Sequence, residues 1–194
     1  LGDVYKRQQH YKQSLEDDGF TLAETEELTG KTDTIATANP KTYTGFTLDR
    51  TVEGTVASGN IAGDGSLVLK LYYTRNSYDV AYAYTGTVPT GASALPEKAT
   101  VKYGAPVTVA EAATAPGYTF SGWSREDGFT MPAENVTITG SFTANGDTAY
   151  TVEHYQQNVA DNEYTLADKE SKTGATGQPS LNLFNPSVWG QSTA

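Results

Sequence analysis

No cysteine occurs in this 194-residue chain. Disulfide staples for small domains are therefore excluded, and so are thiolate metal sites. Long apolar runs are missing too. Nothing approaches the ~18 residues of a membrane-spanning helix, and no secretory-type leader or C-terminal sorting motif is present. Basic charge is scarce, with 13 Lys and Arg against 23 Asp and Glu, for a net charge of −10. Without a basic stripe to neutralise phosphates, nucleic acid is not an expected partner. An evenly acidic surface reads as solubility. Histidine is limited to His10 and His154. Apolar residues at helical spacing are lacking as well.

What the chain does have is repetition. His10-Tyr11 recurs as His154-Tyr155, Thr21-Leu22-Ala23 as Thr165-Leu166-Ala167, and Thr29-Gly30 as Thr173-Gly174. Between 10–32 and 154–176, 11 of 23 positions are identical at a constant offset of 144, with no gap. Recurrence at a fixed spacing marks a repeat array. Repeat units of ~70 residues lie near the lower limit for an independent core.

Apolar residues alternate. Leu67, Leu69, Leu71 and Tyr73 fall on one face of a strand, with Val68, Lys70 and Tyr72 on the other. Val80, Tyr82 and Tyr84 alternate in the same way, as do Val136, Ile138 and Gly140 ahead of Phe142. Period two indicates half-buried strands. Asp18-Gly19, Ala62-Gly63-Asp64-Gly65, Tyr103-Gly104, Pro116-Gly117 and Asn145-Gly146 supply turns between them. The fold class is therefore mainly β, α+β at most, with no more than one helical turn in Val109–Thr114. Boundaries fall at Arg75-Asn76-Ser77 and Asn145-Gly146-Asp147. Linkers this short hold neighbours in a restricted orientation.

Two resemblances emerge from these residues. Val101-Lys102-Tyr103-Gly104, then Gly117-Tyr118-Thr119-Phe120-Ser121-Gly122-Trp123, then Met131-Pro132-Ala133-Glu134-Asn135-Val136-Thr137-Ile138 appear in order. Residues 77–146 thereby resemble the internalin-type B-repeat of bacterial surface proteins. His10-Tyr11, Leu28-Thr29-Gly30, Tyr43-Thr44-Gly45-Phe46 and Leu69-Lys70-Leu71-Tyr72-Tyr73 make residues 9–76 resemble the mucin-binding (MucBP-type) repeat. Residues 147–177 repeat its opening. The resemblances imply small β-grasp-like units in tandem, on secreted or wall-attached proteins, without catalysis. Asp3-Val4-Tyr5-Lys6-Arg7-Gln8 looks instead like one reading frame of a sequencing-library transposase adapter. The expected layout is a non-native segment at 1–8, repeat units at 9–76 and 77–146, a truncated copy at 147–180 and a divergent, non-native tail at 181–194, with residues 147–194 packing poorly or mobile.

Few residues suggest chemistry. The two histidines sit at equivalent repeat positions and are expected on strand surfaces. No nucleophile is seen beside them for catalysis, so an enzyme is not expected, nor a cofactor. Asp64 and the Asp17-Asp18-Gly19 turn lack the spaced oxygen ladder that calcium needs. They read as turn residues, with weak calcium binding at unit junctions left open. The tyrosines of opposite strand faces, Tyr72 and Tyr82, together with Trp123, are the candidate ligand-binding residues. Aromatic rings combine area with a polar handle, although Trp123 reads more readily as core. The functional expectation is an extracellular, cell-surface adhesive or stalk segment meeting glycoproteins or glycans and neighbouring repeats. The alternatives are a carbohydrate-binding accessory module of a secreted enzyme, or a ligand-free spacer.

Overall fold

The computed structural model describes residues 4–179. The tail expected at 181–194 lies outside the described residues. Among the described residues there is no helix, and Val109–Thr114 runs irregularly. The chain divides into two compact units. The first contains residues up to Ala83, Pro96–Ala110 and Ser124–Ile138, and the second contains Tyr84–Leu95, Glu111–Trp123 and the chain from Thr139.

The first unit opens with β1 (Val4–Gln13) and β2 (Phe20–Gly30), an antiparallel hairpin. The short strands β3 (Ile35–Thr37), β4 (Phe46–Asp49) and β5 (Ser58–Asn60) follow, and β6 (Val68–Arg75) closes the sheet. The sheet order is β2-β1-β6-β4, with β1 and β6 parallel and β4 antiparallel to β6. This is a mixed sheet with a parallel central pair. A parallel pair needs a long connection. Residues 31–67 provide it, and β3 and β5 pair within it. β6 is buried on alternate residues, as its period-two sequence requires. Leu69, Leu71 and Tyr73 join Ala36, Ala38 and Ile61 in the core.

Residues 4–8 pair as part of β1. Val4 pairs with Gly30, and Gln8 is buried opposite Leu69. Strand pairing uses backbone groups that any residue carries. The Gln8 amide also satisfies both backbone groups of Asn39, donating to its carbonyl at 2.7 Å and accepting its N–H at 2.8 Å.

After Asn76 the chain continues as β7 (Ser77–Tyr84), then β8 (Ala99–Lys102), β9 (Pro106–Val107), β10 (Tyr118–Phe120), β11 (Phe129–Thr130), β12 (Val136–Gly140) and β13 (Phe142–Ala144). β7 is central in the order β12-β7-β8. Val80 of β7, Val107 of β9, Met131, and Val136 and Ile138 of β12 are buried in the first unit. In the second unit β10 pairs with β13.

The last elements, β14 (Thr148–Gln157) and β15 (Tyr164–Gly174), form an antiparallel hairpin in the second unit. Its register repeats that of β1 and β2 residue for residue. Val4↔Gly30 becomes Thr148↔Gly174, and Gln13↔Phe20 becomes Gln157↔Tyr164. The irregularity between His10 and Tyr11 returns between His154 and Tyr155. The turn after each return strand is also shared: Thr34 N–H donates to Lys31 at 3.3 Å, Ala105 to Lys102 at 3.0 Å, and Gln178 to Ala175 at 3.2 Å. The offset of 144 in the sequence is thus an offset in structure.

Candidate functional site

His10 is the first feature that departs from expectation. It was expected on a strand surface, yet it is fully buried. It lies opposite Leu71 on the inward face of β1. A buried imidazole is tolerated only when both ring nitrogens have partners. Nδ1 lies 3.0 Å from the Tyr73 hydroxyl and Nε2 lies 3.1 Å from Glu26 Oε2. Lys41 N–H donates to the Tyr73 oxygen at 2.9 Å. When Tyr73 O–H donates to Nδ1 and Nε2–H donates to Glu26, the Gln8 amide nitrogen, 2.9 Å from Nε2, directs its two hydrogens to Asn39 and Glu26. The Tyr73 ring stacks on the imidazole with centroids 5.8 Å apart.

Hydroxyl, imidazole and carboxylate therefore stand in the order of a nucleophile relay. Tyr73 is 1% exposed and His10 0%. Both groups are packed inside the first unit.

The rim of this network is charged. Lys41 Nζ lies 2.5 Å from Glu24 and 2.9 Å from Glu26, and Tyr43 O–H donates to Glu24 at 3.0 Å. The Lys41 ammonium, then Tyr43, holds the Glu24 carboxyl below its ordinary value of 4.5. Lys41, then His10, does the same to Glu26. Glu24, then Glu26, pushes Lys41 up, and burial followed by Glu24 raises Tyr43 to about 12.

Depressed carboxylates contribute stability above their unfolded value that is lost as pH falls through the folded values. Raised Lys41 and Tyr43 contribute stability below theirs that is lost as pH rises. Thermal melts followed by tyrosine near-UV dichroism are expected to plateau between about pH 5 and 10. Both flanks should fall, and Glu24→Gln with Glu26→Gln should flatten the acid flank.

The outward face of the same sheet carries Tyr72, which stacks on Tyr11 at 4.9 Å and meets the Phe20 edge at 5.1 Å. Leu22 pairs opposite Tyr11 and is exposed. This patch recurs. Tyr155, Tyr164 and Leu166 occupy the registers of Tyr11, Phe20 and Leu22, and all three are exposed. Sequence reasoning selected Tyr72 and missed its neighbours, although the repeat carried positions 11, 20 and 22 forward as aromatic or aliphatic residues.

Tyr82 lines a separate open groove of about 410 Å³ with Val80, Pro96, Val101, Pro106 and Val107. Its hydroxyl accepts the Ala110 N–H at 2.9 Å. Trp123 belongs to an aromatic cluster of the second unit. It stacks on Tyr84 at 5.8 Å, meets Phe120 at 4.9 Å and donates its indole N–H to the Glu111 carbonyl at 2.9 Å. One ring face is thereby occupied. Gly140 lets the cluster close: a Cβ there would lie 2.3 Å from Phe120 Cζ. Gly140→Ala is expected to cost about 1–3 kcal/mol by overpacking, read from urea melts of Trp fluorescence.

Asp64 and Asp17 occupy turns, where their carboxylates accept the Ser66 and Gly19 N–H groups at 2.9 and 3.0 Å.

The two junctions share one construction. Asn76 donates its N–H to Gly45 at 2.9 Å, accepts Tyr103 N–H at 2.8 Å, and accepts Thr47 Oγ1 on its side chain at 2.7 Å. Asn145 does the same with Gly117 at 2.9 Å, Thr176 at 2.9 Å and Thr119 at 2.7 Å. In each case a Gly-x-Thr segment precedes the asparagine, and the end of the next hairpin follows it. At the first junction Arg75 adds bonds to the Tyr103 carbonyl at 2.8 Å and the Gln13 carbonyl at 3.0 Å. Its guanidinium lies 4.7 Å from the Phe46 ring.

A hairpin that recurs in register 144 residues on, within an all-β chain, defines a tandem β-repeat protein. Residues 82–146 match the family described as a divergent InlB B-repeat domain. That span is similar to the family within the B-repeat resemblance of residues 77–146. The match lends no support to the mucin-binding resemblance of residues 9–76 and 147–177. No curated protein matches the chain.

Proposed function

We propose that this chain is a non-enzymatic repeat segment of a bacterial cell-surface protein, outside the cell, serving as an adhesive stalk. The observation that carries this reading is the recurrence, in identical register, of one hairpin at an offset of 144. Similarity of residues 82–146 to the B-repeat family supports the surface setting. The matched Asn76 and Asn145 clasps support a stiff, extendable element. The recurring patch of Tyr11, Phe20 and Leu22, then Tyr155, Tyr164 and Leu166, favours contact over pure spacing. Each copy offers a weak site for host or cell-surface glycoproteins, and repetition multiplies weak sites through effective concentration.

Binding to glycoprotein-coated surfaces tests this directly. Soluble chain should be retained weakly, and chain displayed in arrays about 10²–10⁴ times more strongly. Leu22→Ser with Leu166→Ser should reduce the array signal. No retention at any valency would identify a spacer. Binding of a single free sugar, lost in Trp123→Ala with the fold intact, would identify a carbohydrate module instead.

A further inference from the structure

The two hairpins share a histidine, two acids and a glycine on the inner face but differ in what covers them. On the first, β6 adds in parallel to the β1 edge, with His10 opposite Leu71. The Tyr73 hydroxyl meets His10, and Lys41 meets Glu24 and Glu26. Ile61 lies over Gly30, where a Cβ would come within 2.4 Å of its Cδ1. All of these covering groups come from residues 31–76.

On the second hairpin, His154, Asp168, Glu170 and Gly174 stand at the registers of His10, Glu24, Glu26 and Gly30. Among the described residues β14 and β15 form a sheet of two, so the β14 edge has no third strand. The His154 side chain is 50% exposed, against 0% for His10. Its contact with Glu170 at 3.3 Å stays inside the hairpin, as does the ion pair of Glu170 with Lys172 at 2.7 Å.

We propose that the β14–β15 hairpin is a docking surface for an extended segment with the chemistry of residues 31–76. A Leu-x-Leu-x-Tyr strand adds in parallel to β14, its tyrosine hydroxyl on His154. A lysine placed as Lys41 is bridges Asp168 and Glu170. Charge agrees: residues 31–76 hold five basic and four acidic side chains, whereas residues 148–174 hold two and five. Backbone groups on a free edge supply affinity, and alternate side chains supply specificity. Several inward positions depart from the first hairpin: Tyr150 replaces Lys6, Gln156 replaces Lys12, and Asp168 replaces Glu24. Val152 replaces Gln8, and Lys172 replaces Leu28. The Asn39 contact is therefore not reproduced, and the pairing rests on the histidine, the two acids and the glycine. None of this depends on the adhesive reading.

The test adds a synthetic segment of residues 31–76 to the full chain and follows amide exchange in Thr148–Gln157 together with the His154 ring resonances. Saturable protection of the outward β14 amides is expected, with a shift of the His154 resonances. A Tyr73→Ala segment should bind at least about tenfold more weakly, and Gly174→Val in the chain should abolish binding. In a second chain the segment follows Pro179 through a flexible linker, which raises its effective concentration to about millimolar. Absence of protection in both formats overturns the proposal. So does equal protection by an unrelated strand sequence. Protection that grows with the concentration of the chain alone identifies a second copy as donor of the same segment, and supports it.

Discussion

His10→Ala is expected to destabilise the first unit by about 3–5 kcal/mol, while His154→Ala changes stability by less than about 0.5 kcal/mol. The two residues are the same amino acid at the same point of the same hairpin register. Their surroundings differ. Removing the His10 ring opens a void between Gln8, Tyr43 and Tyr73, which lie against it. It also takes the acceptor from the Tyr73 O–H, whose oxygen keeps only the Lys41 N–H, and a buried donor left without its partner costs about 1–3 kcal/mol. His154 meets water and one exposed carboxylate. Exposed ion pairs contribute about 0–1 kcal/mol at most. Urea titrations of both variants measure the difference. Equal losses would show that the histidine acts through the hairpin itself and not through its cover.

Gly45→Ala is expected to cost more than about 2 kcal/mol and to loosen the first junction. Two penalties combine. The backbone at Gly45 has φ of 77°, in the left-handed region that disfavours a side chain. A Cβ there would also lie 2.1 Å from the Tyr103 ring. The ring must leave, and its edge contact with Phe46 at 5.9 Å goes with it. The Asn76 and Arg75 bonds to the Tyr103 backbone then lose their support. At the twin position, Gly117→Ala meets the side chain of Thr176 at 2.7 Å. A threonine yields more easily than a packed ring, so a smaller loss is expected there. Melting temperatures rank the two, and dipolar couplings across Asn76 report the loosening.

The sequence showed some of this plainly. Alternation in β6 named its buried face, and Val136, Ile138 and Gly140 are buried as their spacing indicated. The repeat itself gave the hairpin offset. Burial of His10 was not legible, because both faces of β1 look polar. Gln8, His10 and Lys12 alternate with Gln9, Tyr11 and Gln13, and no apolar side marks the interior. What buries His10 is the hydroxyl of Tyr73, 63 residues away. The clasps were half legible. Both asparagines were marked as boundaries, but their bonds to Gly45 and Gly117 join segments that no local pattern connects. The Tyr11–Tyr72 patch required the parallel pairing of β1 with β6, which depends on the closing strand and not on the hairpin.

Position-by-position amide exchange of β1 and β14 measures the repeat most directly. β1 is bonded on both edges, to β2 and to β6, so every interior amide should be protected. β14 pairs with β15 alone among the described residues, so alternate amides should be slow and those between them fast. The slow residues of β14 should fall 144 positions after the β2-facing residues of β1, with the irregularity at His154/Tyr155 in step with His10/Tyr11. A pattern shifted by one residue, or no alternation in β14, would contradict the shared register.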